Sequence, residues 1–306
     1  MQSECDLSLI TINYNGLADT CALIDTIPFN ELSLEVIVVD NASADEEASV
    51  IEQRYPAVRV IRNSSNLGFA GGNNLGIRAA RGRYLLFINN DTLLYRDESE
   101  RSDAVQGLKA LLARLDTDAA IGAVSPKIRF SWGNALIQYA GFTKLSAVTV
   151  RNRAIGYNEP DNGQYDEACP TPYAHGAAML VRREAIEQAG LMPECYFLYY
   201  EELDWSCCLR RAGYTIWYDP CLTVFHKESR ATGQDSPLKT YYLTRNRLLL
   251  VKRNSPVTVR WLSYLYLVGV VAAKDIVRSI ANGRHDTARA TLLGVADFIR
   301  CKTGKR

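Results

Sequence analysis

YLLFINNDTLL, residues 84–94, decides how the rest of the chain is read. Leu85, Leu86, Phe87 and Ile88 form an unbroken apolar run. Asn89, Asn90 and Asp91 stop it, and apolar residues then resume. A short continuous apolar run bounded by turn residues is the pattern of a strand buried on both faces. Such strands belong to parallel sheets covered by helices, and ligands bind at the carboxyl ends of those strands. The three polar residues therefore have two readings. They form an Asx-rich turn that only reverses the chain, or they present the Asp91 carboxylate to something bound at the end of the strand.

Working outward, the same pattern recurs. Apolar runs at 7–12, 34–39 and 58–61 read as strands, and the first two stop at Asn13-Tyr14-Asn15-Gly16 and Asp40-Asn41. Helical spacing falls between them, at 18–27 (stopped by Pro28), 46–55 and 73–80. Strands alternating with helices predict an α/β fold with a parallel sheet. The polar residues that follow each strand then line one edge. Downstream, 108–115 reads as helix, 122–125 as strand, and 131–169 as a long excursion with a hairpin. The segment 177–181 reads as strand, 183–189 as a helix ending at Gly190, and 201–212 as a helix ending at Gly213. Residues 214–218 and 222–225 read as short strands, and the chain beyond 241 as helical.

Composition narrows the class. The 306 residues are 47% hydrophobic and 23% charged, enough for one large core or two small ones. Eight cysteines lack C-x-x-C spacing and no secretory signal opens the chain, so reduced thiols in a cytoplasmic protein are expected. The net charge of +1 hides an asymmetry: residues 251–306 carry 11 Lys/Arg against 3 Asp/Glu, a net of +8. The preceding 250 residues carry 24 against 31, a net of −7. An acidic body with a basic tail suggests two tasks.

Three further stretches carry chemistry. NLGFAGGNNLG, residues 66–76, has four glycines but neither the G-x-G-x-x-G register nor the G-K-S/T of a P-loop. It reads as a flexible loop, or as backbone that approaches an anion before a helix. LYYEELDWSCCLRRAGY, residues 198–214, crowds Glu201, Glu202 and Asp204 into the first turn of a helix. Acidic residues there favour the helix dipole. A carboxylate beside the aromatic run 197–200 also has the raised proton affinity that a general base needs. His226 follows the strand 222–225 and is read either as a hydrogen-bonding histidine or as a second metal ligand beside Asp91. One Asp flanked by Asn suits a hard cation held mostly by its substrate's phosphates.

The order of these pieces resembles family 2 glycosyltransferases, and more narrowly their rhamnosyltransferase-type members. It comprises T-x-N-Y-N from Thr11, V-V-D-N-A-S from Val38, N-x-G-F-A-G-G-N-N from Asn66, N-N-D from Asn89, H-G-A-A-M-L from His175, E-E-L-D-W from Glu201, and His226. The resemblance implies a GT-A fold over residues 1–235, a nucleotide-binding α/β half merged with an acceptor-binding half. Residues 236–306 follow as a basic helical region. It implies a nucleoside-diphosphate sugar donor (a dTDP- or UDP-sugar), a divalent metal (Mg²⁺ or Mn²⁺), and inversion at the anomeric carbon.

By position, Thr11, Asn13 and Tyr14 would line the nucleotide site and Asp40 would contact its base. Asn66, Gly68, Phe69, Asn73 and Asn90 would shape the ribose and diphosphate region. Asp91 and His226 would hold the metal, and Glu202 would be the catalytic base. His175, Gly176, Glu201, Asp204 and Trp205 would stand on the acceptor side. Asn89 occupies a place where the family often has Asp, and Glu202 one where it often has Asp. The implied function is transfer of a sugar, rhamnose first, to a glycan or polyprenyl-linked glycan during surface polysaccharide synthesis. The alternatives are a UDP-hexose or N-acetylhexosamine transferase, and a catalytically inactive sugar-nucleotide-binding scaffold.

The tail has its own readings. Thirteen uncharged residues lie between Arg260 and Lys274, short of the ~20 that cross a bilayer. They form a buried packing helix, or an in-plane helix held by aromatic and basic residues against anionic lipid at the inner face of the cell membrane. No nucleic-acid recognition motif accompanies the basic residues.

Overall fold

The computed structural model describes residues 5–44, 46–228 and 236–306. The first half alternates as read: β1 (Leu7–Asn13), α1 (Leu17–Asp25), β2 (Leu34–Asp40), α2 (Glu47–Arg54), β3 (Val58–Arg62), α3 (Gly68–Ala79) and β4 (Tyr84–Ile88). The chain continues through β5 (Thr92–Leu93), α4 (Arg101–Thr117), β6 (Ile121–Phe130), β7 (Ile137–Tyr139), β8 (Cys169–Pro170), β9 (Ala178–Arg182), α5 (Arg183–Ala189), α6 (Glu201–Arg211) and β10 (Thr215–His226). One sheet holds these strands in the order β3-β2-β1-β4-β9-β6-β10-β5. The first four strands are parallel. The strand read at 177–181 enters the middle of the sheet but runs against both of its neighbours, β4 and β6. The sheet is therefore mixed: β3, β2, β1 and β4 are parallel, β9 runs against its neighbours, and β6 and β10 pair parallel beyond it.

Helices cover both faces. Leu23 and Ile24 of α1, Ile51 of α2 and Leu108, Leu111 and Leu115 of α4 pack on one side. Ala70 and Ile77 of α3, Ile186 of α5 and Trp205 and Leu209 of α6 pack on the other. Each such side chain contributes about 1.5–3 kcal/mol when fully buried, so the two-sided burial of β4 accounts for its unbroken apolar run.

Two elements differ from the sequence reading. Helix α3 begins at Gly68, five residues before the expected start at Asn73. Its glycines are there for close packing. A Cβ on Gly72 would lie 2.8 Å from Ile12, and one on Gly76 2.4 Å from Ile10. The helix thus sits directly on the Ile10 and Ile12 side chains of β1. The two short strands read at 214–218 and 222–225 are one strand, β10, whose register against β6 shifts between Asp219 and Thr223, around Pro220. A bulge keeps the strand continuous across a proline.

The C-terminal region comprises α7 (Pro237–Asn254), α8 (Val257–Tyr266), a π-helical segment (Leu267–Ala272), α9 (Ala273–Ala281) and α10 (His285–Ile299). Ser236 caps α7 by accepting the Lys239 N–H (3.2 Å), with Pro237 in the first turn. The expected division at 235/236 borders residues 229–235, which lie outside the described residues. Leu248, Leu250 and Val251 of α7 and Leu267 share a core with Tyr173, Tyr196 and Leu203 of the body. Among the described residues no helix is long and apolar enough to cross a membrane. All eight cysteines fall within the described residues and are free thiols.

Candidate functional site

The carboxyl ends of β1, β2 and β4 meet in a network of side-chain amides. Asn13, fully buried, points its amide at Asp40 Oδ1 (2.9 Å), Ser43 Oγ (3.0 Å) and Glu47 Oε2 (2.8 Å). Asn13 Oδ1 accepts the Thr20 hydroxyl (2.7 Å), and Thr20 in turn accepts from Asn90 Nδ2 (3.0 Å). One chain of bonds thus links the ends of β1, β2 and β4. Asp40 is 6% exposed, and its other oxygen accepts the Ser43 N–H. Tyr14 stands half-exposed beside this network. Thr11 is fully buried, with no hydrogen-bond partner for its hydroxyl among the described residues.

Asn41 organises the next loop. Its amide donates to Asn66 Oδ1 and to the Gly68 carbonyl (both 3.1 Å), and its Oδ1 accepts the Leu67 N–H (3.0 Å). Gly68 has φ +75°, and a Cβ there would lie 2.1 Å from the Phe197 carbonyl oxygen, so only glycine fits. The Phe69 N–H donates to that same carbonyl (3.1 Å), and the Gly68 N–H donates to Asn66 (2.8 Å). Two N–H groups of the first turn of α3 are therefore taken within the protein. Asn73 is buried and donates to the Phe69 carbonyl (3.1 Å), which makes it a brace inside the helix.

The turn reading of Asn89-Asn90-Asp91 is visible directly. The Asn89 carbonyl accepts the Thr92 N–H (3.2 Å) and hydroxyl (2.7 Å), closing a tight turn. That turn leads into β5, which pairs antiparallel with β10 so that His226 faces Thr92. The register brings His226 Nε2 to 3.1 Å from Asp91 Oδ1, with both side chains less than a tenth exposed. His226 Nδ1 lies 2.8 Å from Gln138 Oε1. His226 Nε2 also lies 3.5 Å from Asn89 Nδ2. A histidine whose other nitrogen is held by an acceptor is oriented as metal-bound histidines are. Among the described residues no group of three or more His, Cys, Asp or Glu could hold a metal ion alone. The pair fits a Mg²⁺- or Mn²⁺-type ion whose remaining ligands come from phosphate and water.

Across from this pair stands the turn before α6. The Asn89 N–H donates to the Ala177 carbonyl (2.9 Å), tying the end of β4 to His175-Gly176-Ala177. His175 stacks on Phe142 (centroids 5.6 Å, 10° between planes), and burial, with the charge of His226, pushes its pKa down to about 3. It is a neutral ring at any working pH. Gly176 packs on Glu202: a Cβ added to it would lie 3.6 Å from Glu202 Cγ. Burial pushes the Glu202 carboxyl up from its ordinary value of 4.5. Glu201 is 2% exposed, and burial and the neighbouring Glu202 raise it well above that value.

Two residues expected on the acceptor side are placed in the interior. Asp204 has no exposed surface, and it accepts from Asn254 Nδ2 (2.7 Å) and pairs with Arg253. Trp205, also fully buried, meets Phe87 edge-on (5.4 Å) and donates to the Gly190 carbonyl (2.9 Å). At about 100° per residue Asp204 lies about 200° round the helix from Glu202 and so turns to the opposite side; Trp205, one turn on from Glu202, is buried instead by its packing on Phe87.

The residues missed from the sequence are the supports. The turn holds Phe197, Tyr199 and Tyr200 at φ +70°, +68° and +78°. Asn246 of α7, fully buried, directs its amide at the Tyr196 (3.0 Å), Leu198 (2.7 Å) and Tyr199 (3.1 Å) carbonyls. Arg245 donates to Tyr196 (2.7 Å) and to the Gly304 carbonyl (2.8 Å). The one available signal was an asparagine between two arginines, Arg245-Asn246-Arg247, just before the apolar run 248–251.

A family model described as "Glycosyl transferase family 2" matches residues 8–190. The low-salt glycan biosynthesis hexosyltransferase Agl10 of Haloferax volcanii is 24% identical over 306 residues, 98% of this chain and 93% of its own. An N-acetylglucosaminyl-diphospho-decaprenol L-rhamnosyltransferase of Mycobacterium tuberculosis is 27% identical over 218 residues, 67% of this chain and 70% of its own. Among solved structures, the mannosyltransferase PcManGT from Pyrobaculum calidifontis, in complex with GDP-Man and Mn²⁺, superposes with a TM-score of 0.59. The two are 15% identical, over 98% of this chain and 89% of that one. That likeness bears on the fold, which is GT-A.

Proposed function

This chain belongs to glycosyl transferase family 2 and transfers a sugar from a nucleotide sugar, and on that premise we propose an inverting, metal-assisted transfer to a hydroxyl of a lipid-linked glycan. The observation that carries the reading is one convergence. The Asn89–Ala177 hydrogen bond sets the Asp91–His226 pair and the Gly176–Glu202 contact at the same sheet edge. Asp91 and His226 would hold a divalent ion against the donor diphosphate, where it would supply charge neutralisation for the leaving group. Glu202, its proton affinity raised by burial, takes the proton of the acceptor hydroxyl as that oxygen attacks the anomeric carbon from the face opposite the diphosphate. The amide network around Asn13 and the loop set by Asn41 shape the cleft for the nucleoside. Tyr14, exposed beside it, is the ring we assign to the base.

Rhamnose is the first donor sugar in this reading, supported by the mycobacterial relative, and that relative's named substrate also supports a polyprenyl-linked acceptor. A hexose is the alternative, supported by the haloarchaeal relative. The eight free thiols suit a reducing compartment, so the reading places the protein at the cytoplasmic face of a membrane. The deciding experiment is calorimetric titration of the full chain with dTDP, UDP and GDP, each with and without Mn²⁺. Metal-dependent binding of one of them is expected and names the donor nucleotide. A folded protein that binds none is a scaffold and not a transferase.

A further inference from the structure

Between α7 and the helix that faces it lies a cavity of about 250 Å³. Its wall is mostly apolar, with Leu243, Leu248, Leu267 and Val271, and Tyr200 and Arg247 stand at it too. Three features mark it as more than a packing defect. First, Arg247 leaves its Nε buried with no hydrogen-bond partner among the described residues, although its terminal nitrogen binds the Thr149 carbonyl. The Nε itself has almost no accessible surface, so an anion would meet this guanidinium where Arg247 lines the groove. Second, Leu267 and Val271 belong to the π-helical segment, a widened stretch of the kind found at functional sites. Third, Tyr200 joins the cavity to the proposed base, since it immediately precedes Glu201 and Glu202 in the strained turn. Burial raises its phenol, and the charges of Arg247, Glu202 and Arg151 all act on that hydroxyl.

The outer side of the same helix is also apolar. Val257, Trp261, Leu265, Val268, Val277 and Ile280 are each 37–72% exposed. Arg260, Lys274 and Arg278 lie among them in a tail of net +8. A helix apolar both inward and outward, edged with cations, suits the interface of an anionic bilayer. The cavity then opens beside the lipid headgroups. Asp275 also lines it, so the anion is expected at the Arg247 and Tyr200 end.

We infer that this groove binds the phosphate-bearing isoprenoid end of the acceptor, with Arg247 as its anion contact and the π-helical wall against its chain. The inference rests on the proposed lipid-linked acceptor for the isoprenoid phosphate; the binding site is testable alone. The full chain is titrated with farnesyl phosphate, farnesol and inorganic phosphate. Farnesyl phosphate is expected to bind at least about tenfold more tightly than either fragment. Arg247→Gln should weaken it about tenfold, the usual scale of one charge-assisted hydrogen bond. Val271→Trp, which fills the groove, should weaken it as much. Mn²⁺-dependent nucleotide binding by both variants should be unchanged, which also certifies their folding.

Farnesyl phosphate binding that ignores both substitutions, or inorganic phosphate binding equally tightly, overturns the site. A chain that dimerises and binds no isoprenyl phosphate assigns the groove to a second copy instead. If nucleotides fail to bind while farnesyl phosphate binds through Arg247, the groove stands and the transferase reading falls.

Discussion

The donor edge and the turn that carries Glu202 hold their functional groups in opposite ways. At the donor edge regular strands do the work. The ends of β1, β2 and β4 come together through sheet register, and Asn13 and Thr20 cross-link them, while the loops after β1 and β2 carry Asn15, Ala42 and Glu46 at positive φ. The turn 197–200 has no regular structure. It carries three non-glycine residues at positive φ, each costing about 1–3 kcal/mol. It persists because α7 overdetermines it, with Asn246 on three of its carbonyls and Arg245 on one. The groups we propose to bind are thus placed by the sheet, and the carboxylate we propose as base by a turn that a distant helix holds, Asn246 lying 48 residues beyond Leu198.

The sharpest way to break that contrast is Glu202→Gln. It removes the proposed base and leaves the donor edge untouched. Turnover should fall about 10²–10⁴-fold, while nucleotide affinity stays within about twofold. Because burial raises the Glu202 carboxyl and the base must be ionised, the acid limb of kcat in the wild type should lie above 4.5. Activity is lost as pH falls through that raised value. A limb at or below the ordinary carboxylate range, or near-normal turnover by the variant, removes Glu202 from the role.

A smaller effect tests the support. Asn246→Ala leaves three turn carbonyls without their shared donor. Displacement of a reacting group by about 1 Å costs on the order of 10²-fold, so kcat should fall by about that factor while the nucleotide Kd is preserved. A purely structural role would lower Tm without this split between kcat and binding. Gln138→Ala makes the matching test at the donor edge. Loss of a second acceptor behind a ligating histidine weakens metal binding about 10–100-fold. It should do so here through His226, read as the Mn²⁺ concentration needed for half-maximal nucleotide binding.

The two regions also differ in how much of them was legible in the sequence. The donor edge was readable because its logic is local: an apolar run ending in Asn-Asn-Asp marks a buried strand and the turn that ends it at once. The alternation of strands and helices then followed. The antiparallel entry of β9 was not readable, because a run such as Ala178–Arg182 carries no direction. The early start of α3 was hidden because glycines that permit close packing on Ile10 and Ile12 look like loop glycines. The placing of Asp204 and Trp205 failed because adjacency in sequence was taken for adjacency in space. Two residues along a helix are a rotation of about 200°, enough to carry Asp204 from the side of Glu202 into the Arg253–Asn254 cluster. The Asn246 support was invisible because the carbonyls it holds are backbone atoms, which no residue type announces.

The smallest effect separates the two neighbouring carboxylates. Glu201 is the more buried of the pair, and its Oε2 has no hydrogen-bond partner among the described residues. Its proton affinity is raised first by burial and then by Glu202. A carboxyl with a raised folded-state pKa binds more protons folded than unfolded, so its contribution to stability is complete at acid pH and is lost as pH rises through the raised value. Glu201→Gln removes that loss and keeps the shape. The variant should be more stable than the wild type at pH 8, by about 2–4 °C in Tm if about 1 kcal/mol is recovered in a chain of this size. The advantage should shrink toward pH 5. Turnover should stay within about tenfold of wild type, because Glu202 owes its own shift to burial and keeps its packing on Gly176. Should Glu201→Gln abolish turnover while Glu202→Gln spares it, the base is the inner carboxylate, and the strained turn serves to expose Glu201 to substrate, with Glu202 as the residue that raises it.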